Sequence, residues 1–209
     1  MNSTVILKGN ILYTPRPSEF ISIQHGYIIA VDGVVVYCGE SIPPAYADYE
    51  VTDYGDNLII PGFVDTHAHA PQYCNRGLGM DKELLPWLET YTFPEEAKFS
   101  DLDYARLVYG AFVQDLWRNG TTRSILFGTI HKESTLVLME LLQKAGLSAY
   151  VGKVNMDRNS PDFLIEETSQ SLADTKEWLE ASASFGPLVK PIITPRFVPS
   201  CTSELMDGL

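Results

Sequence analysis

Residues 61–69 read Pro-Gly-Phe-Val-Asp-Thr-His-Ala-His and follow the apolar run Leu58-Ile59-Ile60. This pattern predicts a buried strand from Leu58 to Val64, and side chains two residues apart on a strand point to the same face. His67 and His69 are therefore expected side by side at the carboxyl end of that strand. Two neutral imidazoles on one face can begin a zinc site, although a histidine near a strand end is more often a satisfied polar residue.

The histidine content limits what such a site can contain. The sequence has four histidines, so only His25 and His131 remain as further imidazole ligands. His25 adjoins Gly26 in a predicted turn and is expected at the surface. His131 follows the strand-like run 125–130 and could face the same end of the sheet. Spacing alone leaves both a metal-binding and a structural role open for His67 and His69.

Composition bounds the class of protein. The chain has 209 residues, of which 45% are hydrophobic and 20% charged, as in an ordinary globular domain. A formal net charge of −12 opposes binding to nucleic acid or to an anionic membrane. No run of 18 apolar residues predicts a membrane span, and the N-terminus does not resemble a signal peptide. The three cysteines, Cys38, Cys74 and Cys201, have no metal-knuckle or redox spacing, which fits a reducing, cytoplasmic location.

Residues 1–57 have the pattern of a small β module. Apolar and β-branched residues over 5–13 and 20–31 predict two strands, and the run 34–37 predicts a third. Asp32-Gly33 separates the last two runs. This dipeptide is a strong hairpin signal, because both turn positions favour positive φ.

After residue 58 strands alternate with helices, which indicates parallel strands covered by helices. A complete (β/α)8 barrel needs about 250 residues, so 58–209 has room for about four βα units. We therefore expect an α/β protein whose second domain is the first half of a TIM barrel, in a truncated sequence. The predicted strands are 58–64, 121–129, 149–156 and 189–197, and the predicted helices are 84–91, 100–116, 134–145, 163–181 and one opening at 202.

The motif Pro61–His69 resembles the first-strand metal motif of the amidohydrolase superfamily. Val31-Asp32-Gly33-Val34 and Gly39 resemble its N-terminal β module, which forms part of a composite β-sandwich. Within the superfamily, the chain from residue 58 onward resembles the guanine deaminase family. The matching stretches are His69-Ala70-Pro71-Gln72-Tyr73, Leu85–Leu88, Tyr91-Thr92-Phe93-Pro94, Asn119–Thr122, Val151–Val154 with Met156-Asp157, and Lys190–Phe197.

The resemblance implies a zinc-dependent hydrolase that converts guanine to xanthine and ammonia, in the cytoplasm and as a homodimer when full length. It implies one zinc held by His67, His69, two more histidines and an aspartate. The remaining ligands and the proton-shuttling glutamate of the family lie past Leu209. The chain should therefore contain no catalytic acid or base and should be inactive alone.

The resemblance also implies that Gln72, Arg196 and Phe197 bind the substrate. An amide can donate to and accept from a purine edge, a guanidinium suits a carbonyl oxygen, and a phenyl ring can wall the base. By themselves these residues could equally be an exposed loop glutamine, a structural ion pair and a core phenylalanine. Asp65 shares the strand face of the histidines and is expected to orient an imidazole from outside the metal shell.

Further expectations concern the aromatic residues of the long loop, two cysteines, the acidic pairs and two alternative functions. Trp87, Tyr91 and Phe93 should pack the long loop, with a lid over the substrate as the alternative, and Cys74 and Cys201 should simply pack. The acidic pairs Glu95-Glu96 and Glu166-Glu167 are expected on solvated faces. Two other functions stay open: an amidohydrolase acting on a cytosine-, triazine- or hydantoin-like ring, and a non-catalytic half-barrel that binds metal or a partner.

Overall fold

The computed structural model describes residues 3–209, and the chain divides into two compact units, Met1–Pro61 and Gly62–Leu209. In the first unit, four strands form one sheet in the order β3-β2-β1-β4. Its strands are β1 (Thr4–Arg16), β2 (Glu19–Val31), β3 (Val34–Gly39) and β4 (Val51–Ile59). β1 and β4 pair in parallel, whereas β1–β2 and β2–β3 are antiparallel.

The hairpin predicted at Asp32-Gly33 is confirmed. Val31 pairs with Val34 across the turn, and Asp32 and Gly33 have φ of 51° and 79°. Two central residues with positive φ match the right-handed twist of the strands that they join. His25 is exposed as expected, but it lies within β2, with φ of 50°, rather than in a turn between strands.

The strand predicted from Leu58 to Val64 is wrong in its bounds. Leu58 and Ile59 end β4, where they pair with Asn10 and Ile11 of β1. The next strand, β5, begins only at Phe63 and ends at His69. Pro61 and Gly62 separate the two strands, since proline cannot donate to a ladder and glycine weakens a strand interior. The units accordingly divide after Pro61, rather than at the expected 57/58 boundary.

The second unit has a mixed α/β fold around a parallel sheet in the order β5-β6-β7-β9. The predicted strands 149–156 and 189–197 are each divided in two, and the second pieces pair with each other. At the first division a Cβ on Gly152 would lie 1.7 Å from Thr194 Oγ1, so only glycine fits. The strands after β5 are β6 (Thr121–Phe127), β7 (Ser148–Gly152), β8 (Val154–Asn155), β9 (Val189–Pro191) and β10 (Thr194–Pro195).

Helices connect these strands. The helices are α1 (Leu84–Trp87), α2 (Phe93–Ala97), α3 (Leu102–Arg118), α4 (Lys132–Ala145), α5 (Thr168–Ser182) and α6 (Ser203–Gly208). A π-helical turn, Leu88–Thr92, joins α1 to α2. The side chain of Asp101 caps α3 by accepting from the N–H groups of Asp103 and Tyr104, so this helix begins at Leu102 rather than at the predicted 100.

The core of this unit lies between the sheet and helices α3, α4 and α5. Its buried residues include Tyr109, Leu126, Leu138, Val151 and Trp178. By contrast, Phe63 and Val64 of β5 are 58% and 57% exposed. The parallel sheet therefore has apolar residues that this chain does not cover. No helix among residues 3–209 is long and apolar enough to cross a membrane.

Candidate metal and ligand site

His67 and His69 lie at the carboxyl end of β5, as the sequence predicts, with ring centroids 5.2 Å apart. The ladder between β5 and β6 is irregular between Asp65 and Ala68 and then pairs His69 with Phe127. This register stacks the Phe127 ring on His69 at 4.4 Å and 18° and places it edge-on to His67 at 5.1 Å. Phe127 therefore contacts both imidazoles, an arrangement that the strand pattern alone did not indicate.

The electrostatics favour a neutral His69. Burial, the positive charge of Arg196 and the neighbouring His67 lower the pKa of His69 to about 3. Its Nδ1 is buried and has no hydrogen-bond partner. Metal ligation requires an unprotonated imidazole nitrogen, so the state of His69 and its unused nitrogen fit a zinc ligand.

Asp65 contacts the backbone of the strand rather than an imidazole ring. Its Oδ1 accepts a hydrogen bond from the backbone N–H of His67 at 3.1 Å. This contact holds the strand where its pairing with β6 is irregular. The expected role of Asp65 in orienting an imidazole stays a prediction; in the structure its carboxylate contacts the main chain of His67.

A cluster of buried polar side chains brings Gln72 and Arg196 together around Glu96. Arg196 donates through Nη1 to Glu96 Oε2 at 2.5 Å and through Nη2 to Oε1 at 3.0 Å. Gln72 donates from Nε2 to Glu96 Oε1 at 3.1 Å. The side chains of Arg196 and Glu96 are only 4% and 1% exposed. We call these three residues the Glu96 cluster.

The expectation that the paired acids lie on solvated faces is wrong for three of the four. Glu95 is buried beside Lys98 and Tyr104, and Glu96 is buried against Arg196. Glu166 pairs with the fully buried Lys153 at 2.6 Å. Glu167 alone lies on the surface, where it caps α5. One signal for Glu96 was available in the sequence, since its short helix begins at Phe93 and is followed by Phe99, and both phenylalanines are buried.

Phe197 directly follows Arg196, a member of the Glu96 cluster, and is 36% exposed. The Arg196 guanidinium lies 5.4 Å from the centroid of Phe93, so an aromatic face borders the cluster. A cavity of about 330 Å³ opens beside His69 and Gln72. Other residues that line it are Tyr73, Asn75, Arg76, Met80 and Trp87.

The aromatic residues after β5 pack the long loop, as expected. The indole N–H of Trp87 donates to the carbonyl of Leu78 at 3.1 Å, and Asn75 Nδ2 donates to the carbonyl of Tyr91 at 2.9 Å. Phe93 is buried in a small cluster with Leu88. Cys201 is buried, whereas Cys74 is exposed, so the expectation of packing holds only for the former.

His131 follows β6 directly and occupies the N-cap position of α4, with a buried Nε2 that has no hydrogen-bond partner. Burial and the charge of Lys153 lower its pKa. Within the part of the chain that the structure describes, no group of three or more histidine, cysteine or acidic side chains is placed to hold a metal. His67 and His69 are thus a pair of imidazoles without a third such side chain beside them among the described residues.

The second unit combines a parallel sheet, an imidazole pair at the end of one strand and a buried guanidinium nearby. Together these features point to a class of protein, which comparison with known families identifies. Residues 58–209 match the amidohydrolase family, and the chain belongs to that family.

Comparison with individual proteins shows which members of the amidohydrolase family this chain is similar to. The chain is 54% identical over 160 residues to the guanine deaminase of Dictyostelium discoideum, covering 76% of this chain and 36% of that protein. The solved guanine deaminase of C. acetobutylicum, with guanine bound in its active site, is 51% identical with a TM-score of 0.95, covering 99% of this chain and 49% of that one. An adenosine deaminase from Xanthomonas campestris with bound zinc shares only the fold, at 19% identity and a TM-score of 0.69, covering 91% of this chain and 42% of that one. The chain thus spans about half the length of its relatives, or less.

Proposed function

We propose that this chain supplies the metal-binding start and the base-recognition side chains of a guanine deaminase, which hydrolyses guanine to xanthine and ammonia. The observation that carries the proposal is the Glu96 cluster, which brings Gln72 and Arg196 together. Arg196 also lies close enough to His69 for its charge to lower the pKa of that imidazole. The proposed recognition groups and metal ligands would thus lie near one another, and the similarity to guanine deaminases supports guanine as the substrate.

His67 and His69 would hold one zinc. The chemistry that zinc supplies when bound is to lower the pKa of a coordinated water to roughly 7. This chain's own residues bind and orient the substrate: Arg196 donates to a carbonyl oxygen of the base, Gln72 contacts its edge, and Phe197 walls the ring. Phe127 holds the two imidazoles in place. The remaining ligands and the acid/base belong to the half that the relatives have in addition.

The architecture supports the same proposal. Four parallel strands, each followed by helical segments, are compatible with the first half of a (β/α)8 barrel, and closure of that barrel would cover the exposed Phe63 and Val64. The sheet of the first unit would complete its β-sandwich with a later segment. We extend the proposal to a homodimer that acts in the cytoplasm on a small-molecule substrate.

The test uses the full-length protein, meaning this chain joined to the half that its relatives possess. Arg196→Ala should reduce guanine turnover at least tenfold, since one charged hydrogen bond to a substrate is worth about 1.5–3 kcal/mol. The control is Arg106→Ala, which removes an exposed arginine that pairs with Glu140. Guanine turnover that is equal in both variants and the wild type would contradict the assignment of guanine. A wild type that deaminates a cytosine or triazine ring instead would replace it.

A further inference from the structure

We propose that Glu96 is a positioning residue that determines which hydrogen-bonding groups Gln72 and Arg196 present to the ligand. This inference rests on the proposed function and deepens it, because it predicts which edge of a base the site selects. Glu96 contacts neither imidazole, and it would act through its two partners.

Both carboxylate oxygens of Glu96 are in use. Oε2 accepts from Arg196 Nη1, while Oε1 accepts from Arg196 Nη2 and from Gln72 Nε2. A buried carboxylate requires such pairing, since an ionised acid without partners is strongly disfavoured away from water. Two parallel N–H···O bonds also fix the plane of the guanidinium. Arg196 can therefore neither rotate nor withdraw without leaving Glu96 unpaired.

The contact with Gln72 fixes the direction of its amide. An ionised carboxylate can only accept, so the group of Gln72 that faces Glu96 must be its NH₂. One N–H of the amide binds Glu96, and the carbonyl oxygen Oε1 of Gln72 is then turned away from the carboxylate, where it can only accept from a ligand. Without Glu96, the amide could turn over and offer donors instead.

The cluster consequently presents an acceptor from Gln72 and donors from Arg196. Two of the five guanidinium N–H groups bind Glu96, and the others have no hydrogen-bond acceptor among the described residues. The complementary ligand carries an N–H donor adjacent to a carbonyl acceptor. The lactam edge of a 6-oxopurine has this arrangement, whereas unsubstituted purine lacks both groups. Glu96 should thus determine the preference for lactam bases over bases without that edge.

Two bases without an exocyclic amino group test this preference without interference from turnover. Hypoxanthine carries the lactam edge and purine does not, so the ratio of their competitive inhibition constants against guanine measures recognition of that edge. In the full-length protein, Glu96→Gln should lower the purine-to-hypoxanthine Ki ratio about tenfold, since mispaired buried polar groups forfeit one charged hydrogen bond. Glu95→Gln is the matched control. It removes the adjacent buried carboxylate, which contacts Lys98 and Tyr104 and neither Gln72 nor Arg196.

The outcomes separate the two proposals. An unchanged Ki ratio in Glu96→Gln, with guanine deamination by the wild type, would overturn the role of Glu96 alone. A fall of the same size in Glu95→Gln would also overturn it, because it would show general damage to α2. If Glu96→Gln does not fold, Glu96→Asp, which keeps the charge but shortens its reach, should lower the ratio less strongly; an unchanged ratio there counts equally against the role. A wild type without guanine deamination overturns the proposed function and this inference with it.

Discussion

The imidazole pair on β5 and the Glu96 cluster lie in the same unit, but they differ in how far this chain completes them. His67 is exposed, and His69 has a buried nitrogen without a partner. Glu96 and Arg196 are buried and satisfy each other through two hydrogen bonds, and Gln72 adds a third. The polar groups of the Glu96 cluster are therefore satisfied within this chain, whereas the imidazole pair keeps a buried nitrogen without a partner.

The difference suggests that, in the proposed barrel, substrate recognition and metal binding depend on different segments of the chain. Both partners of an ion pair must be present when the pair is buried, because either charge buried alone is strongly destabilising. Imidazoles carry no such requirement, since neutral histidines tolerate partial burial until metal arrives. The recognition groups can thus be built by an early segment, while metal ligation can draw on strands that come much later.

The largest effect should come from removing the imidazoles. In the full-length protein, replacing His67 and His69 together by alanine should abolish both zinc binding and guanine turnover, because zinc needs these nitrogens as ligands. Metal content by atomic absorption and a deamination assay measure the two effects. His25→Ala, at an exposed position of β2, serves as the control. Retained zinc in the double variant would place the metal elsewhere.

Breaking the Glu96 cluster should cost stability, in contrast to the imidazole pair. Arg196→Met leaves Glu96 buried without its partner and should lower the free energy of unfolding by about 3–5 kcal/mol. The comparison variant, Lys144→Met, breaks an exposed pair with Glu140 and should cost about 0.2–1 kcal/mol. Urea unfolding of the full-length proteins gives both values. Equal stabilities in the two variants would show that the cluster is not a buried ion pair in solution.

A smaller effect is expected at Phe127, which touches the imidazoles without being a ligand. Phe127→Leu removes the ring stacked on His69 and should weaken zinc binding about 10–100-fold, the range found when groups that orient metal ligands are changed. Competition with a chelator measures the affinity. Phe163→Leu, at an exposed phenylalanine, controls for the loss of a ring. An affinity within twofold of the wild type would remove the orienting role.

The smallest effect is expected when zinc is removed and guanine binding is measured. If the recognition groups are complete without metal, zinc-depleted full-length protein should still bind guanine, with a Kd within about tenfold of the loaded protein, or about 1.4 kcal/mol. Equilibrium dialysis with labelled guanine measures it, while the loss of turnover confirms depletion. A Kd that rises a hundredfold or more would show that the two regions depend on each other.

The imidazole pair was predictable because its signal is local. His67 and His69 are two residues apart, and the alternation of a strand places them together. The bounds of that strand were not predictable, since Leu58 and Ile59 are equally apolar in either sheet. The pairing partner decides between them, and pairing with Asn10 and Ile11 is a contact between distant residues.

The Glu96 cluster was only half predictable. Similarity to the guanine deaminase family pointed to Gln72 and Arg196, whereas the flanking Phe93 and Phe99 indicate only that Glu96 faces the interior, not that it joins these two residues. Two adjacent glutamates on a helix usually face water, and burial here depends on a guanidinium far along the chain. Phe127 was missed for a related reason, because its contact with His69 follows from the register of β5 against β6.

The distance in sequence between Glu96 and Arg196 has a consequence for biosynthesis. The two residues are 100 positions apart, and ribosomes add roughly 5–20 residues per second, so the acid is made about 5 to 20 s before the guanidinium. Until Arg196 is made, α2 cannot be buried in its final position without leaving the charge of Glu96 unpaired. The Glu96 cluster can form only after translation has passed Arg196, so it is among the last parts of the unit to form.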